Sequence, residues 1–334
     1  MNHLKTIYLI AFTILIFSCK SEQNETVVAN NEQSAVEILT SEIVKNPDNS
    51  SLYFKRAEIF YENETYQDAV NDLSKAIILD STKFEYYHLL ADVYLDGFKS
   101  FDALRVIQSA ADRFPENIPT LLKLSEFQHI LKKHSDCFKT IDQILTKDPQ
   151  NAEAYFMLGL SLREVGQTTR AINSFQSAVE NDPNLIDGWI VLGQMYTELG
   201  DPLALKYFEN AQLIEPDNME VLHAKAHYLN EKEDLNGALA IYREMIIKDP
   251  KYKDSYYNSG LIYLEMDSLQ KAIEQFDILI EVSPLSIPGY YYRGLSKELT
   301  GDRAGAKIDF KQALKFSPSY LKAQEGLERV EQEL

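Results

Sequence analysis

Proline recurs at positions 47, 115, 149, 183, 216, 250, 284 and 318. The first interval is 68 residues, with Ser81 at its midpoint, and the later ones are 34, 34, 33, 34, 34 and 34. A fixed period near 34 calls for a linear array in which each unit packs on its neighbours, rather than an ordinary globular domain. The units run 50–83, 84–117, 118–151, 152–185, 186–218, 219–252, 253–286 and 287–320.

Each unit carries two stretches with apolar residues at helical spacing. The fourth position is large (Tyr53, Tyr87, Leu121, Tyr155, Trp189, Leu222, Tyr256, Tyr290) and the eighth is small (Ala57, Ala91, Ser125, Gly159, Gly193, Ala226, Gly260, Gly294). A second small site opens the second stretch: Ala69, Ala103, Cys137, Ala171, Ala204, Ala238, Ala272 and Ala306. Short side chains let two antiparallel helices approach closely, and the large ones fill the space to the next hairpin. Proline then stops the second helix and displaces its predecessor from helical geometry. Gly166, Gly200 and Gly301 stand where the first helix must end in a left-handed turn.

This pattern resembles the tetratricopeptide repeat family. Unit 152–185 carries it most fully, through Tyr155, Leu158, Gly159, Gly166, Ala171, Phe175, Ala178 and Pro183. The resemblance implies an all-α, right-handed α-solenoid of eight helix hairpins over 50–320. Arg56, Lys225 and Arg293 depart from it where the family has Leu, and unit 186–218 is one residue short near Asp201-Pro202. Residues 33–49 read as an N-terminal capping helix. Residues 321–334 read as a C-terminal one, with Leu321, Leu327, Val330 and Leu334 on one side.

Ahead of the array, residues 7–17 form an apolar run too short for a bilayer span of roughly 20 residues but suited to an export signal. Ile16-Phe17-Ser18-Cys19 resembles a bacterial lipoprotein signal, which implies removal of residues 1–18 and a lipid on Cys19. Residues 19–32 are then a polar tether. Lys20 after the cysteine implies outer-membrane sorting, by the same resemblance.

Within the first helix of each unit, positions 5, 9 and 13 face away from the packing stripe. The resemblance implies that they line the concave groove of the superhelix. Position 5 reads Phe54, His88, Leu122, Phe156, Ile190, His223, Tyr257, Tyr291. Position 9 contributes Glu58, Asp92, Glu126, His227, Leu261 and Leu295, and position 13 contributes Glu62 and Asp96. The groove is expected to be acidic at its N-terminal end and aromatic at its C-terminal end. It would fit a protein or peptide segment with basic residues at one end and apolar anchors at the other. The alternative is that position 5 packs between successive first helices and the acids are ordinary surface charge. Family members that clamp a chaperone's C-terminal carboxylate use Lys at position 5 and Asn at position 9. Phe54 with Glu58, or His88 with Asp92, would repel that ligand.

The 51 acidic against 33 basic residues, a formal charge of -18, disfavour nucleic acid. No phosphate loop, nucleophile elbow or paired-cysteine motif is present, and no cofactor is expected. His223 and His227 are one helical turn apart, but Ala224 stands where a zinc hydrolase needs its glutamate base. No metal site is therefore assigned. Cys137 is expected to be a buried packing thiol. The expected function is a lipid-anchored scaffold that binds proteins in an envelope assembly, without enzymatic activity. The alternatives are a surface accessory for nutrient or glycan uptake and, behind it, a metal-dependent enzyme built on His223 and His227.

Overall fold

The computed structural model describes residues 35–332, so the signal, Cys19, the tether and the last two residues lie outside the described residues. Every regular element among those described is an α-helix. The chain divides at Lys147–Asp148 into two compact units.

Unit 1 opens with α1 (35–45). Three hairpins follow: α2 (Ser50–Glu62) with α3 (Tyr66–Leu79), α4 (Phe84–Asp96) with α5 (Ser100–Arg113), and α6 (Ile118–Ile130) with α7 (His134–Lys147). Unit 2 holds five hairpins: α8 (Ala152–Glu164) with α9 (Thr168–Asn181), α10 (Ile186–Glu198) with α11 (Leu203–Ile214), α12 (Met219–Glu231) with α13 (Leu235–Lys248), α14 (Lys253–Glu265) with α15 (Leu269–Val282), and α16 (Ile287–Leu299) with α17 (Arg303–Phe316). The terminal α18 (Leu321–Gln332) closes unit 2. Even-numbered helices are thus the first helices of each hairpin.

The joint between hairpins is built by a short, repeated device. Proline ends one helix, and two residues later Asn49, Asn117, Asn151, Asn218 or Ser286 caps the next through its side chain. Each such cap contributes about 1 kcal/mol. The aromatic at position 4 then reaches back to the proline carbonyl. Tyr53 and Tyr256 hydroxyls donate to Pro47 and Pro250 at 3.0 Å, and the Trp189 indole donates to Pro183 at 2.8 Å. The large residue therefore fixes the joint as well as filling space.

Inside the hairpins, the small positions allow near contact of backbone and ring. A Cβ added to Gly159 would lie 2.7 Å from the Phe175 ring, and one added to Gly260 would lie 2.6 Å from Phe276. Phe175, Phe276 and Phe310 are fully buried. In the third hairpin the Cys137 thiol donates to the Ser125 carbonyl at 3.3 Å inside the packed interface.

All eight turns within hairpins contain one residue at positive φ. Gly166, Gly200 and Gly301 fill three, as their sequence positions suggest; Glu64, Phe98, Lys132, Glu233 and Asp267 fill the others. The periodic stack imposes this left-handed residue even where its side chain costs about 1–2 kcal/mol.

The cationic departures from the family pattern have partners. Arg56 makes two bonds to the buried Asp72, at 2.6 and 2.7 Å. Arg293 pairs with the buried Asp309 at 2.5 and 2.9 Å and with Asp277 at 2.6 Å, while Lys297 adds a contact to Asp309 at 2.8 Å. Lys225 donates to Gln212 at 2.9 Å. In each case the guanidinium or ammonium replaces an apolar contact with a charge-assisted one. One expected capping residue is misplaced: Leu321 is 68% exposed, because α18 docks through Ala323, Leu327 and Val330 beside Phe310.

Candidate functional site

The stripe of positions 5, 9 and 13 grades from closed to open across each first helix. Position 5 is the floor. Phe156, Ile190 and Tyr291 are buried, and Phe54, His88, Leu122, His223 and Tyr257 are half-buried. Phe54 stacks on Tyr86 of the following first helix, with centroids 4.9 Å apart, and His88 bonds to Thr120 of α6 at 2.9 Å. Much of position 5 is therefore spent on packing between successive first helices. Phe156, Ile190 and Tyr291 present no free face to a ligand, which corrects their expected exposure. Position 9 forms the walls: Asp92, Glu126, Leu261 and Leu295 are half-buried, and Glu58 and His227 are open. Position 13 is the rim, where Glu62, Asp96, Glu198, Glu231 and Glu265 are exposed.

In unit 1 the stripe is wired by polar contacts. Lys123 pairs with Asp92 at 2.7 Å with both side chains largely buried, and its ammonium lies 5.6 Å from the Phe127 ring centroid. Burial, aided by Lys123, pushes the His88 imidazole down to about 4. Burial raises the Glu126 carboxyl, with Lys123 opposing that shift and Asp92 adding to it. The Tyr61 hydroxyl donates to Asp96 at 2.5 Å, and its own proton is held more tightly, chiefly through burial and then that bond. Sequence spacing gave no sign of Thr120 or Lys123 as partners, because both belong to the following repeat.

In unit 2 the C-terminal end is aromatic. Tyr292 sits between Tyr257 (5.8 Å), Phe276 (5.8 Å, stacked) and Tyr291 (4.9 Å). Tyr291 also meets Tyr320 edge to face at 5.5 Å. Burial raises the Tyr257 phenol, as do the charge of Tyr292 and a hydrogen bond to it. Tyr320, just beyond the period's last proline, was not anticipated. Arg329 of α18 pairs with Glu298 through two bonds of 2.8 and 2.9 Å at the edge of the cluster.

Between α10 and α12 a cleft of about 390 Å³ is lined by Gln194, Thr197, Glu198, Phe208, Glu220, His223, Ala224 and His227. The Asn258 amide reaches His223 Nε2 at 3.3 Å, whereas His227 Nε2 lies 4.0 Å from Glu231. The two imidazoles are thus directed to different partners. Burial lowers the His223 imidazole, against a smaller opposing influence of Asp254. The arrangement offers an apolar floor with carboxylates at its margin, which suits a cationic side chain on an aliphatic stem.

Comparisons with known proteins agree with this architecture. Residues 140–173 and 253–284 match family models described as tetratricopeptide repeat. The chain is 22% identical to the Hsp70-Hsp90 organizing protein 1 of Glycine max, over 81% of this chain and 42% of that protein. It is 27% identical to the N-terminal acetyltransferase A complex auxiliary subunit NAA15 of Arabidopsis thaliana, over 48% and 18% respectively. It is also 22% identical to the human protein O-mannosyl-transferase TMTC3, over 72% and 27%. The chain spans less than a third of the length of those last two relatives. Among solved structures, a tetratricopeptide repeat protein from Parabacteroides merdae aligns with a TM-score of 0.52 at 17% identity, covering 74% of this chain and 98% of that one. The Cut9–Hcn1 hetero-tetramer aligns with a TM-score of 0.51 at 19% identity, covering 89% and 58%. These likenesses bear on the fold.

Proposed function

We propose that this tetratricopeptide repeat protein is a non-enzymatic scaffold of a bacterial envelope, held to the outer membrane by a lipid on Cys19. On this reading its first-helix face binds a partner protein. The observation that carries the reading is the graded stripe of unit 2: an aromatic floor around Tyr257 and Tyr292, apolar walls at Leu261 and Leu295, and an exposed rim at Glu231 and Glu265. A segment with an apolar anchor flanked by Lys or Arg would bury its anchor against the leucines and tyrosines. Its cations would meet the rim, where exposed charges steer encounter more than they add affinity.

The relative named as an Hsp70-Hsp90 organizer supports scaffolding as a use of this architecture, but its ligand is not carried over. Exposed Glu58 follows Phe54, and Asp92 follows His88, where a carboxylate terminus would need cations.

In-cell crosslinking and mass spectrometry tests the proposal by comparing wild type with the double variant Glu231→Lys, Glu265→Lys. Both positions are exposed, so circular dichroism should be unchanged. A partner captured by wild type and lost from the variant supports the reading. Capture that is unaffected by the reversal removes the rim from the binding face, and affinity for sugar without a protein partner favours the uptake accessory. Cys19→Ala should move the chain from the membrane to the soluble fraction. If it stays with the membrane, the anchor is wrong.

A further inference from the structure

The α4–α5 turn of unit 1 is unlike the others. Phe98 is 94% exposed and Phe101 is 89% exposed. Phe98 also occupies the left-handed position of its turn, at φ 59°, where three other repeats have glycine and four have Glu, Lys or Asp. A bulky residue with this backbone is an outlier. The stack imposes the left-handed backbone here as at the other turns, but packing does not account for the exposed apolar surface at this apex.

The charge around this apex also differs from the rest of the chain. Lys99 lies between the two phenylalanines in sequence, with its ammonium 5.8 Å from the Tyr94 centroid. The turn of the next hairpin in the same unit reads Leu131-Lys132-Lys133 and contains no acid. The one acid at the start of the α4–α5 turn, Asp96, accepts the Tyr61 hydroxyl. Further along, Asp102 is paired with Arg105 at 2.7 Å. By contrast, the turns in the same register elsewhere carry Glu62 and Glu64, Glu164, Glu198 and Asp201, Glu231 and Glu233, Glu265 and Asp267, or Asp302. In a chain of formal charge -18, the α4–α5 and α6–α7 turns together are the approach that an anionic surface would find least repulsive.

We propose that Phe98 and Phe101 form an interfacial contact with the lipid bilayer. The two phenyl rings would enter the headgroup–acyl boundary while Lys99 and Lys133 meet anionic headgroups. Aromatic rings beside snorkelling lysines suit that boundary, where one side is apolar and the other wet. For its location the proposal rests on the lipid-anchored reading: residues 19–34 reach about 55 Å when extended, enough to bring unit 1 to the surface that holds Cys19. One lipid chain or one weak contact binds marginally, and two signals together hold a protein at a surface. The apex would then be a second, orienting contact.

The test uses the lipidated full chain with Phe101→Trp. It is reconstituted on vesicles of phosphatidylethanolamine and phosphatidylglycerol containing a brominated phospholipid, and the parent chain with Trp189 alone supplies the background. Insertion predicts quenching of the new tryptophan and a blue shift, both reduced when phosphatidylcholine replaces phosphatidylglycerol. In a Cys19→Ser background, Phe98→Ser with Phe101→Ser should lower vesicle flotation about tenfold or more, the scale for two apolar rings leaving a partly buried site. A chain that floats with its tryptophan unquenched overturns the apex contact and leaves the anchor standing. Flotation and quenching that persist unchanged in Cys19→Ser support the apex and overturn the anchor, and no flotation at all overturns both. A blue shift that needs protein concentration but no vesicles overturns the membrane in favour of a second copy of the chain.

Discussion

The same three positions of the first helix are used differently in the two units. In unit 1, position 5 at His88 bonds to Thr120, and position 9 at Asp92 is neutralised by Lys123. In unit 2, position 5 at Tyr257 and Tyr291 joins an aromatic cluster, and position 9 supplies Leu261 and Leu295. One backbone lattice thus accepts either wired polar contacts or apolar ones between successive first helices. Polar wiring spends the donors and charges of unit 1 on the protein itself. The aromatic end of unit 2 keeps part of its apolar surface open, below the exposed carboxylates Glu231 and Glu265. The second arrangement has more to offer a partner.

The comparison can be broken most forcefully at Tyr291. Tyr291→Ala removes a buried ring that meets Tyr292, Phe310 and Tyr320, and should cost about 3 kcal/mol. His88→Ala at the equivalent position of unit 1 should cost only about 1 kcal/mol, since it forgoes one hydrogen bond and some packing. Hydrogen exchange resolved by helix measures both, because repeat arrays open locally. Equal costs would mean that the two ends are not held differently.

Lys123→Met comes next. It leaves Asp92 beside Glu126 without its cation and should cost about 1–2 kcal/mol, read as faster exchange in α4 and α6. The equivalent residue in unit 2 is Tyr292, and Tyr292→Met should instead act through lost ring contacts with Phe276 and Tyr257, with no charge left unpaired.

Acid gives a smaller contrast. His88 has a depressed folded value, so its contribution is complete above the unfolded value near 6.5 and is lost as pH falls toward about 4. Thr120 and Lys123 of α6 and Phe84 of α4 face it, and protonation sets an imidazolium against the ammonium. Glu126 works in the opposite direction, because its raised carboxyl takes a proton more readily in the folded chain. The useful quantity is therefore the difference between wild type and His88→Gln in urea midpoint. Wild type should lose ground to the variant between pH 6.5 and 4.5, and a flat difference would deny His88 its role.

The smallest expected effect lies at the turns. Phe98→Gly should stabilise unit 1 by about 1 kcal/mol by relieving a left-handed side chain. At Gly301 of unit 2, Gly→Ala should destabilise for the converse reason, although its Cβ would meet nothing. Thermal melts distinguish the signs.

Much of the fold was legible because proline, alanine and glycine mark backbone needs directly. The proline period located the joints, and the alternation of Ala or Gly with aromatic residues located the close approaches. The left-handed turns were legible only at glycine. Glu64, Phe98, Lys132, Glu233 and Asp267 carry no signature, since the neighbouring helices impose their conformation. The pairs Arg56–Asp72 and Arg293–Asp309 lie on different helices of a hairpin, beyond any spacing that a single helix face displays. The site was legible as a stripe but not in depth. Periodicity gives the direction of Phe156 or Ile190, whereas other helices cover them: Phe175 of α9 meets Phe156 edge to face, and Val221 of α12 packs with Ile190.

The central claim is that the first-helix face of unit 2 is the binding surface, and its most direct measurement changes no contact in the fold. A photo-crosslinking residue is placed at Glu265 on α14 or, as its pair, at Glu274 on α15 of the same hairpin, both exposed. Irradiation in cells should yield a discrete protein adduct from position 265 and none from position 274. An adduct from 274 alone, or equally from both, would contradict the account.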